Sequence, residues 1–149
     1  MIAYFDTSAL VPLIVEEPST PDCQRIWNEA SRAVSVRLLY AEASAALARA
    51  HRMTRLTTTQ LDEALAALDD IVTELDHVEI TDQLVRAAGA LARSHGLRGY
   101  DAVHLGAGLS VADDDVVFVT GDSNLAAAAQ TLGIAVANTN ERPRPVPED

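Results

Sequence analysis

A chain of 149 residues is most simply one domain, long enough to bury about two thirds of the surface that its unfolded form exposes. Its 22 acids outnumber its 11 bases, every one of them arginine, and the net charge of −11 argues against loose, nonspecific adhesion to nucleic acid. The lack of lysine excludes phosphate-handling sites built on that residue, and a single cysteine, Cys23, excludes an intrachain disulfide or a thiolate metal cluster. No apolar run approaches the ~20 residues of a membrane span and no basic-flanked leader opens the chain, so the expected location is the cytoplasm.

In chain order, "IAYFD" (2–6) reads as a buried strand closed by Asp6, followed by a short helix over 7–15 that tolerates Pro12 only in its first turns. "EEPSTPDC" is a connector, and Ser19, Thr20 and Pro21 start a second helix through Trp27 to about Ala30. "AVSV" (33–36) is a short strand, and an Ala-rich helix follows from Leu38 to Arg52. Thr57 and Gln60 are spaced as a capping box for a helix over 58–75. "HVEI" (77–80) is a strand; Thr81 caps the next helix and Gly96 stops it. "YDAVHLGAGLSVA" (100–112) is apolar almost all round, the mark of a buried helix. "DVVFVT" (115–120) is a fully apolar strand, 122–132 a helix closed by Gly133, and "IAVAN" (134–138) a last strand. The end "RPRPVPED" is Pro-rich, which sets the domain at 1–138 and an extended, flexible tail at 139–149.

Strands alternating with helices, without hairpin turns, predict an α/β fold with a mostly parallel sheet of about five short strands and helices on both faces. Ligands of such sheets collect beyond the carboxyl ends of the strands. Asp6 closes the first strand at that edge, and "TGD" sets Asp122 just past the end of the fourth. Each also has an ordinary reading as the cap of the helix that follows. Asp101, in the first turn of its helix, is favoured there by the helix dipole alone. Glu42 is less easily dismissed. The helical face 38, 39, 42, 45, 46 and 49 reads Leu, Leu, Glu, Ala, Ala, Arg, so a carboxylate interrupts an apolar stripe. Arg49 or Arg37 can serve it as a structural ion-pair partner. Four carboxylates brought together repel unless a hard cation holds them, and an all-oxygen set suits Mg2+ or Mn2+.

The stretches "YFDTSAL" (4–10), "LLYAEASAAL" (38–47), "GYDAVHLGAG" (99–108) and "VTGDSNL" (119–125), in this order and spacing, resemble PIN-domain nucleases. The likeness is greatest to the VapC-type toxins of bacterial toxin–antitoxin systems, and it covers nearly the whole chain through Ile134. It implies that Asp6, Glu42, Asp101 and Asp122 form an acidic quartet around one or two divalent ions, Asp122 acting directly or through a bridging water. It implies supporting hydroxyls at Thr7 or Ser8 and at Thr120. It implies a Mg2+- or Mn2+-dependent endoribonuclease that acts as a toxin on RNA, forms a homodimer and pairs with a cognate antitoxin whose arginine enters the acidic edge.

His104, three residues after Asp101, reads as a core histidine with its hydrogen bonds met inside, or as one that touches the site. No histidine pair has the spacing of a zinc site or of a metal-free ribonuclease. "ARAHRMTR" (48–55) sets Arg49, Arg52 and Arg55 at a helix end, where they complement the dipole or contact RNA phosphates. The Ala-rich stretches 38–47 and 126–129 indicate close helix packing, with self-association as the other reading. Two further functions compete. A phosphoryl-accepting aspartate at the first strand's end needs a lysine that this chain lacks. A catalytically weak PIN module serving as an RNA- or protein-binding scaffold is opposed by the intact quartet.

Overall fold

The computed structural model describes residues 1–113 and 115–140. Five strands, β1 (Ile2–Phe5), β2 (Arg32–Val36), β3 (Asp76–Val78), β4 (Val116–Thr120) and β5 (Ala135–Asn138), form one sheet in the order β3-β2-β1-β4-β5. Every neighbouring pair is parallel, so the sheet is parallel throughout and not merely mostly so. The chain builds outward from β1 to β3, then crosses back to lay β4 on the other side of β1. The boundary between β1 and β4 is therefore the topological switch point, where a crevice opens beyond the strand ends.

Right-handed crossovers running in opposite directions put their helices on opposite faces. On one face lie α1 (Thr7–Leu10), α2 (Thr20–Glu29), α3 (Leu39–Arg52) and α4 (Thr58–Thr73), with Leu10, Ile26, Leu47 and Leu68 packed around Phe5. On the other lie α5 (Asp82–His95), α6 (Gly99–Ser110) and α7 (Ser123–Thr131), with Leu84, Leu105 and Leu125 packed around Tyr4 and Phe118. Successive residues of β1 thus feed alternate cores, as the strand period requires. The capping box of Thr57 and Gln60 is present, and Gly96 ends α5 in the left-handed conformation at φ 64°. Ala126, Ala128 and Ala129 are buried, so in α7 the alanines serve close packing.

Four expectations are corrected. The helix after Asp6 spans only Thr7–Leu10 and tightens into a 3-10 turn at Val11–Leu13, because Pro12 has no N–H to continue the α ladder. The third strand is Asp76–Val78 and stops short of Ile80, as its pairing with β2 ends at Val36↔Val78. On α3 the buried line is Leu39, Ala43 and Leu47, one turn apart each time. Glu42 borders that line and does not interrupt it, while Ala45 and Arg49 face solvent. Arg37 pairs with Glu79, so it is not the partner of Glu42. Of the expected tail, Thr139 donates its N–H to the Thr120 carbonyl at 2.9 Å and Asn140 donates its side-chain amide to the Gly121 carbonyl at 2.8 Å. Residues 141–149 lie outside the described residues.

The small residues of α6 set how near it approaches the sheet. A Cβ at Gly108 would stand 2.7 Å from the Phe118 ring, which stacks on Tyr4 at a centroid distance of 5.1 Å. Gly108→Ala gains about 1 kcal/mol of helix propensity. It forces overpacking that costs about 1–3 kcal/mol. The expected net is a destabilisation of up to about 2 kcal/mol, read as a lower denaturation midpoint with an unchanged m-value.

Candidate active site

Asp6 follows the last residue of β1, where the backbone leaves the sheet in extended conformation and its side chain caps α1. The carboxylate is buried, and three donors meet it. Oδ1 accepts the Ser8 hydroxyl at 2.7 Å and the Ala9 N–H at 3.2 Å; Oδ2 accepts the Thr120 hydroxyl at 3.0 Å. Thr120 Oγ1 in turn accepts the Asp122 N–H at 3.0 Å, and Ser8 Oγ accepts the Gly121 N–H at 2.8 Å. The two turns at the switch point, "DTS" and "TGD", are thereby laced together. Burial raises the Asp6 carboxyl above its ordinary value, and His104 with the Ser8, Thr120 and Ala9 donors only partly offsets it.

Glu42 reaches the same edge from the first turn of α3. Its Oε1 accepts the His104 Nε2–H at 2.6 Å and the Thr7 hydroxyl at 3.0 Å, leaving Oε2 without a partner in this pair of contacts. Partial burial pushes the Glu42 carboxyl up, but the hydrogen bond and charge of His104 and the Thr7 hydroxyl outweigh it, and the net displacement is downward. His104 is itself buried on α6 and its Nδ1 lies 3.0 Å from the Tyr4 hydroxyl. Burial and the nearby Asp6 charge hold the Tyr4 phenol well above its ordinary range, so it is a neutral donor. With Tyr4 donating to Nδ1, the imidazole carries its proton on Nε2 and directs it at Glu42. Both readings of His104 hold together: it is satisfied inside the core, and it touches the site.

Asp101 stands in the first turn of α6 and Asp122 caps α7, accepting the Leu125 N–H at 2.9 Å. The capping readings of Asp6 and Asp122 are therefore true, and each still leaves carboxylate lone pairs for other work. All four acids line one cleft of about 400 Å³ at the carboxyl edge, together with Thr7, Ser8, Glu17, Arg98, His104 and Asn140. A larger groove of about 510 Å³ against α5 and α6 is lined mainly by apolar groups such as Val78, Leu84 and Leu109, and it gathers no comparable set of acids.

Arg49, Arg52 and Arg55 are exposed, with the first two in the last turn of α3 and the third in the loop beyond. They do not line the cleft. Arg98 does, and the sequence reading passed it over: its Nε is 3.3 Å from Asp101 Oδ2 and its Nη2 is 3.9 Å from Asp122 Oδ2. The available signal was its i, i+3 spacing to Asp101 together with a cation set, against the dipole, at a helix N-terminus.

The donor chemistry fits a hard divalent cation, since four carboxylates and three hydroxyls offer only oxygen. Among the described residues, no three carboxylate or imidazole groups are already gathered tightly enough to enclose an ion. Mg2+ keeps several waters and takes one or two carboxylates directly, so it does not require such a cage. Asp6, Glu42, Asp101 and Asp122 would be the residues to hold it, since all four line the cleft.

The PIN domain family matches residues 3–144 of this chain. Ribonuclease VapC45 of Mycobacterium tuberculosis is 39% identical over 136 residues, which are 91% of this chain and 94% of the relative. The crystal structure of PAE2754 from Pyrobaculum aerophilum superposes with a TM-score of 0.68 at 21% identity, covering 91% of this chain and 83% of that one. A toxin–antitoxin complex from Klebsiella pneumoniae superposes with a TM-score of 0.62 at 17% identity, over 92% of this chain and 97% of its own. These two structures share the fold, and the family match and the 39% identity carry the assignment further: the chain belongs to the PIN-domain family, on its VapC side.

Proposed function

We propose that this protein is a Mg2+- or Mn2+-dependent endoribonuclease that hydrolyses RNA phosphodiester bonds and acts as the toxin of a toxin–antitoxin pair. The observation that carries the reading is the convergence of Asp6, Glu42, Asp101 and Asp122 on one cleft at the switch point of a parallel sheet. A bound divalent ion supplies water activation and neutralises charge on phosphoryl oxygens. The chain's own groups do the rest. Ser8, Thr120 and the Ala9 N–H fix Asp6 in one orientation, and His104 and Thr7 fix Glu42 with one oxygen turned free. The downward displacement of Glu42 keeps it ionised through the neutral range, so it serves as a fixed negative charge. Arg49, Arg52 and Arg55 are proposed as outlying contacts to the RNA backbone. The protein is proposed to act as a homodimer. Kinship to ribonuclease VapC45 and the shared fold with a toxin–antitoxin complex support the substrate class and an antitoxin partner.

Asp101→Asn and Glu42→Gln keep volume and remove charge, so each should lower metal-dependent RNA cleavage at least about 100-fold in a protein that remains folded. The assay is purified protein on total RNA with Mg2+, with Mn2+ and with chelator. Fragments should carry 5′-phosphates and 3′-hydroxyls by mass spectrometry. Wild-type rates in either variant refute the site, and 2′,3′-cyclic phosphates refute attack by water. RNA binding without cleavage by the wild type supports the scaffold reading instead.

The ion should also register in stability. For a site with Kd on the order of 1 mM, about 10 mM Mg2+ contributes roughly 1.4 kcal/mol through RT ln(1 + [L]/Kd). In a chain of this size that is an upward shift of about 3–5 °C in melting temperature. Sodium at matched ionic strength should do much less, and Asp6→Asn should blunt the response.

The displaced carboxyls give the metal-free protein a pH signature. Asp6 is raised by folding, so the native state binds its proton more tightly, and stability from this group falls as pH climbs through the ordinary carboxylate range and the raised value. Asp6→Asn should accordingly raise the metal-free melting temperature at neutral pH, the gain fading as pH is lowered to where both states are protonated. Glu42 is lowered, so its contribution is present above the ordinary carboxylate range and lost as pH falls through the lowered value. Glu42→Gln should therefore lower the melting temperature at neutral pH. Calorimetric scans across pH check both signs, and a pair of variants moving in the same direction contradicts the assignment.

A further inference from the structure

We propose that Arg98 exchanges partners at the mouth of the cleft: it bridges Asp101 and Asp122 when no metal is bound, and pairs with an RNA phosphate once a divalent ion has taken those acids. The inference deepens the ribonuclease reading and rests on it. One guanidinium spans the acids of two helices, with Nε 3.3 Å from Asp101 and Nη2 3.9 Å from Asp122. It thus stands between two of the acids that line the cleft.

The position of Arg98 is not explained by the fold. It is the N-cap of α6, with no side-chain cap hydrogen bond, where Ser, Asp or Asn would satisfy the free N–H groups. A cation at that end is opposed by the helix dipole. Its side chain is 86% exposed, so its ion pairs are weak and given up readily when a stronger cation competes. Other arginines of the described surface are committed to acids away from the cleft: Arg32 to Asp76, Arg37 to Glu79 and Arg86 to Asp82. Arg98 is the one arginine among the residues that line it, facing Asp6, Glu17, Glu42, Asp101 and Asp122. An RNA phosphate entering five carboxylates on a chain of net charge −11 meets repulsion that a metal ion offsets only in part. A guanidinium freed at the mouth offers the planar, two-pronged donor that phosphate oxygens accept.

The test uses the full-length protein and its Arg98→Gln and Arg98→Lys variants. Mn2+ is titrated calorimetrically without RNA, and RNA cleavage is measured with saturating Mn2+ over a range of salt concentrations. The Gln variant should bind Mn2+ about two- to fivefold tighter, the fold-change expected when an exposed competing ion pair is removed. Its KM for RNA should rise several-fold with kcat nearly unchanged, and the slope of log(kcat/KM) against log[salt] should become shallower by about 0.7, one phosphate contact on a single strand. The Lys variant, a point charge without the fork, should fall between the two. Mn2+ affinity that is unchanged or weaker in the Gln variant overturns the bridging half. An unchanged KM and salt slope, beside a wild type that cleaves, overturns the phosphate half. A wild type that binds Mn2+ and cleaves no RNA overturns the ribonuclease reading and the phosphate half with it, while the Mn2+ titration still decides the bridge.

Discussion

A carboxylate buried at the centre of a sheet edge must have its lone pairs met by neighbours, and Asp6 obliges β1, α1 and β4 to meet in one arrangement. Ser8 and the Ala9 N–H come from its own chain direction, but Thr120 comes from a strand 114 residues away. The same Thr120 hydroxyl receives the Asp122 N–H, so the orientation of the fourth acid depends on how the first is satisfied. Removing any one donor would leave charge buried against apolar surroundings, which costs more than the donor contributes while present. The network therefore selects a single geometry at the switch point, and that geometry is a cleft floor made of oxygen.

His104 ties the second half of the cleft. Its helix, α6, packs in the core on one face of the sheet, and Glu42 stands on α3 in the core on the other. The imidazole reaches across the strand ends to Glu42 and is braced from behind by Tyr4. This reach works only if α6 lies close to β1 and β4, and the want of a side chain at Gly108 over the Phe118 ring allows that approach. A packing choice one turn further along the helix thus sets the position of a site residue.

The elements were legible in the sequence because each is written locally. The capping box at Thr57, the stop at Gly96 and the apolar run of 115–120 need no knowledge of the rest of the chain. Asp6 and Asp122 were legible because the strand-end rule and the motif stretches point at the same positions, whereas Glu42 and Asp101, on helices, were carried by the motif stretches. What stayed hidden is what depends on distant partners. The facing of Glu42 could not be read from helical spacing, since Leu39, Ala43 and Leu47 make an apolar line just as regular as the one that includes it. Its partner turned out to be His104, 62 residues along, and not the nearer Arg37 or Arg49. Arg98 was hidden for another reason: its i, i+3 spacing to Asp101 is a faint local signal, and its meaning comes from the two acids it lies between.

The two best-held carboxylates are pushed apart by their surroundings. Asp6 is hemmed in by apolar bulk and its charge is resisted; Glu42 is given an imidazole and a hydroxyl and its charge is favoured. Identical chemistry thereby acquires two characters. Glu42 is a steady negative charge whether or not a cation is near, whereas Asp6 gains most from one, because a cation offsets the burial that resists its ionisation. On the ribonuclease reading this makes metal and substrate binding a single electrostatic problem. A polyanion meets repulsion from the clustered carboxylates on a chain of net charge −11, so on that reading the ion that equips the site for chemistry also eases the entry of RNA.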